Sequence, residues 1–172
     1  MLQRPYRLAF ATLLLTLFAC SEQNNMVAEG NKYEYGIFQT SEESDEAAAK
    51  YGTAQKSALK DPLFVTPTKT IPAKLNTIFG VLYQFPESTY GTTVKINGTF
   101  SFPPEGLTNP NTGDTAYEKK FEADVVVNGN DPVDSLLFQL GQEWEVVPGT
   151  WTFTVLMNGE AFIEEQFEVV AL

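Results

Sequence analysis

The 172-residue chain contains no histidine, one cysteine, and 11 lysine and arginine residues against 22 aspartate and glutamate residues. The missing histidine removes the commonest general base, the usual Ser–His and Cys–His pairs, and most catalytic zinc sites. One cysteine excludes an internal disulfide framework and every cysteine-cluster metal site. A formal charge of −11 excludes a surface built to grip phosphate backbones, and Lys119-Lys120 is too small a basic patch for nucleic acid. No apolar run reaches the roughly 20 residues that cross a bilayer. What is present is an apolar fraction of 43% with 13% aromatics, enough to pack one domain and to argue against disorder throughout. The composition predicts a non-catalytic chain without a cofactor, a resident metal or a nucleic-acid partner.

The amino terminus carries Arg4 and Arg7, then twelve largely apolar residues, Leu8–Ala19, the length of a signal-peptide core. Cys20, the only cysteine, follows directly. Leu17-Phe18-Ala19-Cys20 resembles the lipobox of bacterial lipoproteins, with Leu three residues before the cysteine and a small residue just before it. That resemblance implies cleavage after Ala19, diacylglyceryl attachment to the Cys20 thiol, and acylation of the new amino terminus. The alternative is ordinary signal cleavage that leaves a free thiol or cuts further along. Three acyl chains at about 0.8 kcal/mol per buried methylene would make the attachment effectively permanent. Ser21 stands where aspartate would resemble an inner-membrane retention signal, so the resemblance implies the outer membrane. The mature chain keeps nine basic and 22 acidic residues, a net −13, and anionic headgroups repel it. The expected organisation is a signal peptide at 1–19, a lipidated polar tether at 20–30, and one folded domain at 31–172.

Within the domain, Asn31–Thr40 is aromatic and β-branched and reads as a strand. Residues 41–60 form an excursion, with a short helix possible over Glu42–Lys50 on propensity alone. From Phe64 onward strands are expected at Phe64–Thr70, Thr77–Phe85, Thr92–Phe102, Tyr117–Val127, Ser135–Leu140, Thr150–Met157 and Ala161–Val170. Gly, Pro and Asn clusters punctuate them, and no βα alternation appears. This spacing predicts an all-β antiparallel sandwich. The last hairpin allows a sharper inference. Trp151, Phe153, Val155 and Met157 share one face of the penultimate strand, and Ile163, Phe167 and Val169 share one face of the last. A plain two-residue Asn158-Gly159 loop carried straight through would put Trp151 opposite Gln166 and Phe153 opposite Glu164, which mixes the faces. One extra residue is required, expected here as a three-residue loop with Gly159 left-handed at a bulge.

The stretch Trp144-Glu145-Val146-Val147-Pro148-Gly149-Thr150-Trp151-Thr152-Phe153, with the closing Phe167-Glu168-Val169, resembles the C-terminal signature of a bacterial domain family of unknown function. Thr70-Ile71-Pro72-Ala73-Lys74, Phe79-Gly80 and Pro103-Pro104 resemble it too, so the likeness runs from about Tyr33 to Val170. It implies an immunoglobulin-like sandwich and no established activity. Pro148-Gly149 suits a type II turn, with Trp144 and Trp151 flanking it between the sheets.

Candidate chemistry is sparse. Glu143 and Glu145 flank Trp144, and Glu160, Glu164 and Glu165 crowd the last hairpin. Paired carboxylates can hydrolyse glycosides, yet with 22 acids such pairs arise by chance and alternation leaves most in solvent. The Asn109–Asp114 loop and the Asn128–Asp131 loop with Asp134 offer oxygens to calcium, Asp114 and Asp131 foremost, but both also read as metal-free turns. Tyr33, Tyr35, Phe38, Tyr83, Phe85 and Tyr90 could stack a sugar if they shared an exposed face. Asn97-Gly98-Thr99 is a glycosylation sequon without meaning on a bacterial export. The leading expectation is a membrane-anchored envelope module that contacts another protein, through loops and edge strands. The competing one is carbohydrate- or calcium-dependent ligand binding.

Overall fold

The structure, a computed structural model, describes residues 32–40 and 62–172. The signal segment, Cys20, the tether and the helix candidate Glu42–Lys50 lie outside the described residues. The described residues form eleven strands: β1 (Tyr33–Thr40), β2 (Pro62–Pro67), β3 (Thr70–Pro72), β4 (Ile78–Gln84), β5 (Thr93–Ser101), β6 (Leu107–Thr108), β7 (Thr115–Ala116), β8 (Glu118–Val126), β9 (Val133–Gln139), β10 (Gly149–Met157) and β11 (Glu160–Val170).

Alternation dictates the faces. Val94, Ile96 and Phe100 of β5 and Trp151, Phe153 and Val155 of β10 are buried at every second position, with polar or half-exposed residues between them. Such strands bury one face only, and two sheets close on each other to make an immunoglobulin-like sandwich. One sheet has the order β2-β1-β4-β9 and the other β3-β11-β10-β5-β8, while β6 and β7 form a separate two-stranded ribbon. Phe79 of β4 sits at the middle of the core. Its ring lies 5.6 Å from Trp151, 5.2 Å from Phe153, 5.4 Å from Phe167 and 6.3 Å from Phe138. A smaller apolar cluster of Phe38, Ile78 and Leu137 lies apart from this core.

Three expectations need correction. The single strand expected at Phe64–Thr70 is two strands in different sheets: β2 pairs with β1, and β3 pairs in parallel with β11, so the sandwich is not purely antiparallel. The Pro72 ring and the short Thr68-Lys69 crossing explain why neither piece grows longer. The bulge exists, and Trp151 faces Phe167, but it lies elsewhere. Asn158 and Gly159 form a plain two-residue turn with φ of 53° and 87°, and Met157 pairs with Glu160. Both positive φ values match the twist of the flanking strands. The register shifts one pair later, where Leu156 faces Ala161 and Val155 faces Ile163, leaving Phe162 as the extra residue. Phe162 and Ile163 are consequently both buried. Finally, Pro148-Gly149 is no type II turn. Gly149 has the expected positive φ, 127°, but already belongs to β10, opposite Val169. The reversal is made instead by a 3-10 turn at Glu143–Glu145.

Candidate functional site

One end of the sandwich gathers the ends of β5 and β9, the start of β8, the β6–β7 ribbon and the 3-10 turn. Strand alternation places Lys119, Phe121, Ala123 and Val125 on the same face of β8, and Lys119 stands opposite the buried Phe100. A lysine thus occupies a core-side position on an edge strand. Beside it lies a cavity of about 260 Å³ lined by Phe102, Leu107, Phe138 and Trp144 together with Asn109, Gln142, Glu118 and Glu145.

The Trp144-Glu145 motif builds this end locally. Glu145 Oε2 accepts hydrogen bonds from the Gly141 and Gln142 N–H groups, both at 3.0 Å, and Gln142 and Glu145 cap the turn reciprocally. The carboxylate satisfies the Gln142 N–H and shares the Gly141 N–H with the Gln139 carbonyl, which accepts from it at 2.9 Å. Trp151 Nε1–H donates to the Val147 carbonyl at 3.1 Å, which ties the turn to β10. Trp144 is left half-buried against the cavity, unlike the fully buried Trp151. Lys119 is half-buried, and burial lowers its ammonium below the ordinary lysine range, an effect the Glu145 charge opposes. Its neighbour Lys120 pairs with Glu118 at 2.6 Å, and Lys95 pairs with Glu122 at 2.7 Å. Among the described residues Lys119 has no ion-pair partner within 4.0 Å. Lys119 was legible as a core-side residue from the alternation of β8, but the Lys119-Lys120 doublet drew attention only as a basic patch.

A second polar cluster closes one side of the sandwich. Glu165 stands opposite Phe153 on the core face of β11 and is 1% exposed. It forms an ion pair with Lys69 at 2.7 Å and accepts from Tyr33 Oη at 3.2 Å and from the Gln166 N–H at 3.0 Å. The Lys69 ammonium also sits 5.1 Å from the centre of the Tyr35 ring. Burial and then the Glu165 charge push the Tyr33 phenol up to about 12. These contacts link β1 of one sheet to β11 of the other through the β2–β3 crossing.

The third feature is an edge. Among the described residues β2 pairs only with β1, and Leu63, Phe64 and Val65 are 57%, 37% and 45% exposed. The edge β8 of the other sheet carries Glu118, Lys119, Lys120, Glu122 and Asp124, the kind of charge that discourages stray pairing. Strand β2 carries none. Pro62 and Pro67 end it, and the β1–β2 register shifts between Ile37 and Phe38, leaving Val65 as the bulged residue.

The acidic sequence candidates do not come together. Glu143, Glu160 and Glu164 are exposed, whereas Glu145 and Glu165 are buried in separate clusters. In the Asn109–Asp114 loop the Asn109 side chain accepts from the Asn111 N–H, and Thr112 Oγ1 accepts from the Asp114 N–H. In the other loop Asn128 accepts from the Asn130 N–H and bridges to Asp131, while Asp134 accepts from Tyr83 Oη at 3.3 Å. Both loops are built as side-chain-braced turns. Among the described residues no three histidine, cysteine or carboxylate side chains gather as a metal ion requires. Of the six aromatics, Phe38, Tyr83 and Phe85 are buried and Tyr33, Tyr35 and Tyr90 are half-buried; Tyr33 and Tyr35, with ring centres 6.2 Å apart, line an open cleft of about 610 Å³ together with Tyr83. Asn97 is half-buried and donates to Glu122 at 2.9 Å.

No curated protein matches this chain. Among solved structures it is similar to an immunoglobulin-like protein from Pseudomonas aeruginosa, with a TM-score of 0.57 and 23% identity over 81% of this chain and 92% of that one. Residues 26–169 match a domain of unknown function, DUF3859, and the chain belongs to that family.

Proposed function

We propose that the protein is a non-catalytic envelope lipoprotein, anchored through Cys20 in the outer membrane, whose domain captures an extended segment of another protein along β2. The observation that carries this reading is the uncharged edge with three exposed apolar residues in an otherwise strongly acidic chain. An added strand would supply the backbone hydrogen bonds that an edge lacks, with Leu63, Phe64 and Val65 reading its side chains. A second copy of the chain is a poor occupant, because mature domains of net −13 repel one another. The partner is a different protein with a basic surface beside an apolar, strand-forming segment. Between Cys20 and the first described residue, Lys32, lie twelve peptide units, which span at most about 40 Å, so the start of the domain stays within that distance of the anchor.

Two experiments test this reading. Cys20→Ser should release the protein from the membrane fraction, and retention there would refute the anchor. A photo-crosslinking residue at position 63 or 65 of the full chain should yield one discrete product in intact envelopes. The same probe at the exposed Glu105 should not, and Leu63→Lys should abolish the product. A product equal in mass to two copies of the chain, or equal crosslinking from position 105, would overturn the docking assignment.

A further inference from the structure

The cavity beneath Trp144 goes beyond the β2 edge and is independent of it. A charge pointing inward from an edge strand is one way to blunt that edge, which explains a lysine on β8. It does not explain a cavity in front of the lysine. At about 260 Å³ the space exceeds the roughly 150 Å³ in which an apolar cavity takes up benzene, so it admits a ring with a short substituent. Three walls are aromatic: Phe102, Phe138 and Trp144. Neighbouring cations have carboxylate partners, but the Lys119 ammonium has none within 4.0 Å among the described residues. Of the nearby acids, Glu118 pairs with Lys120, and Glu145, held by two backbone N–H groups, acts on Lys119 as a charge beyond ion-pair distance. Gln142 and Asn109 add amide groups to its lining.

We propose that this cavity binds a small aromatic carboxylate, its ring among Phe102, Phe138 and Trp144 and its carboxylate on Lys119. Burial already disfavours the Lys119 ammonium, and an incoming anion supplies the opposite charge at contact distance. A neutral analogue keeps the ring contacts and loses the ion pair, and a cationic one meets repulsion. The same chemistry exists as a free acid and as the C-terminal aromatic residue of a polypeptide.

The test uses the full chain and the fluorescence of Trp144, which lines the cavity, whereas Trp151 is fully buried. Titration with 3-phenylpropionate should give a saturable change with Kd on the order of 0.1–1 mM, as expected for a ligand of this size. The acid should also raise the melting temperature. 3-Phenylpropionamide should bind about tenfold more weakly, the loss of one charge-assisted contact. Trp144→Phe should remove the fluorescence change, and Lys119→Met should remove the preference for acid over amide while Lys119→Arg keeps it. An N-acetylated tripeptide ending in phenylalanine separates the sources: competition assigns the site to a chain terminus, and no competition assigns it to a free acid. Equal affinity for acid and amide in the unmodified protein would overturn the proposal without any variant having to fold. So would an acid preference that survives Lys119→Met.

Discussion

The two buried carboxylates, Glu145 and Glu165, solve the same problem in opposite ways. Burying a charge is costly unless donors surround it. Glu145 finds its donors three and four residues away, in the Gly141 and Gln142 N–H groups of its own turn. Glu165 finds Lys69 and Tyr33, which lie 96 and 132 positions back in the chain and reach it from other strands. The first carboxylate shapes a loop, and the second holds two sheets together. Glu145 therefore answers to a local change, whereas Glu165 depends on whether distant strands dock correctly.

The sharpest test of that contrast is Lys69→Met. Lys69 is 46% exposed and Glu165 is buried, so removing the lysine strands a carboxylate in the core. A loss of about 3 kcal/mol in urea unfolding is expected. Adding Glu165→Leu to Lys69→Met should recover most of the loss, because an apolar pair needs no donors. No recovery would mean that the ion pair is not what closes this side. Glu145→Ala should cost about 2 kcal/mol by uncapping the turn and leaving the Gln142 N–H without its acceptor, the Gly141 N–H keeping the Gln139 carbonyl. It should also alter Trp144 fluorescence, since the turn carrying that ring loses its cap. Glu165→Gln should cost only about 1 kcal/mol, because the amide oxygen in place of Oε1 still accepts from the Gln166 N–H and the amide NH2 in place of Oε2 donates to Tyr33 Oη, while the half-exposed Lys69 returns to water. If Glu165→Gln proved costlier than Lys69→Met, the assignment of the buried partner would be wrong.

The smallest effect concerns alkaline pH. The Tyr33 phenol titrates at about 12 in the fold against 10.0 when unfolded, so the fold favours its neutral form. That contribution is complete below pH 10 and is lost as pH rises through about 12. Tyr33→Phe should flatten the decline in stability over this range, leaving the part due to Tyr83, which burial and Asp134 shift in the same direction. Because Tyr33 is only partly buried, solvent screening keeps the difference below about 1 kcal/mol. An unchanged alkaline slope in Tyr33→Phe would remove the phenol from the Glu165 cluster.

Much of this frame was legible in the residues. The shared faces of Trp151, Phe153, Phe167 and Val169 required an extra residue in the last hairpin, and the structure contains one. Its place was not legible, because a bulge at Gly159 and a bulge at Phe162 restore the same parity and differ only in which side chain the core admits. The same parity put Glu165 on the core face, but nothing near it in the chain identified Lys69 as its partner. The division of Pro62–Pro72 between two sheets was hidden for a related reason. Six residues of strand propensity look alike whichever sheet accepts them.

From its own order of residues this chain determined which side of each strand turns inward, where turns fall, and how the Trp144 turn caps itself. Those choices depend on backbone geometry and on neighbours a few positions apart. Tertiary structure alone decided that β2 became an uncharged edge, that Lys119 faced a cavity and that Glu165 met Lys69. Each of those depends on which distant strands lie side by side, a choice made by the packing of the whole core.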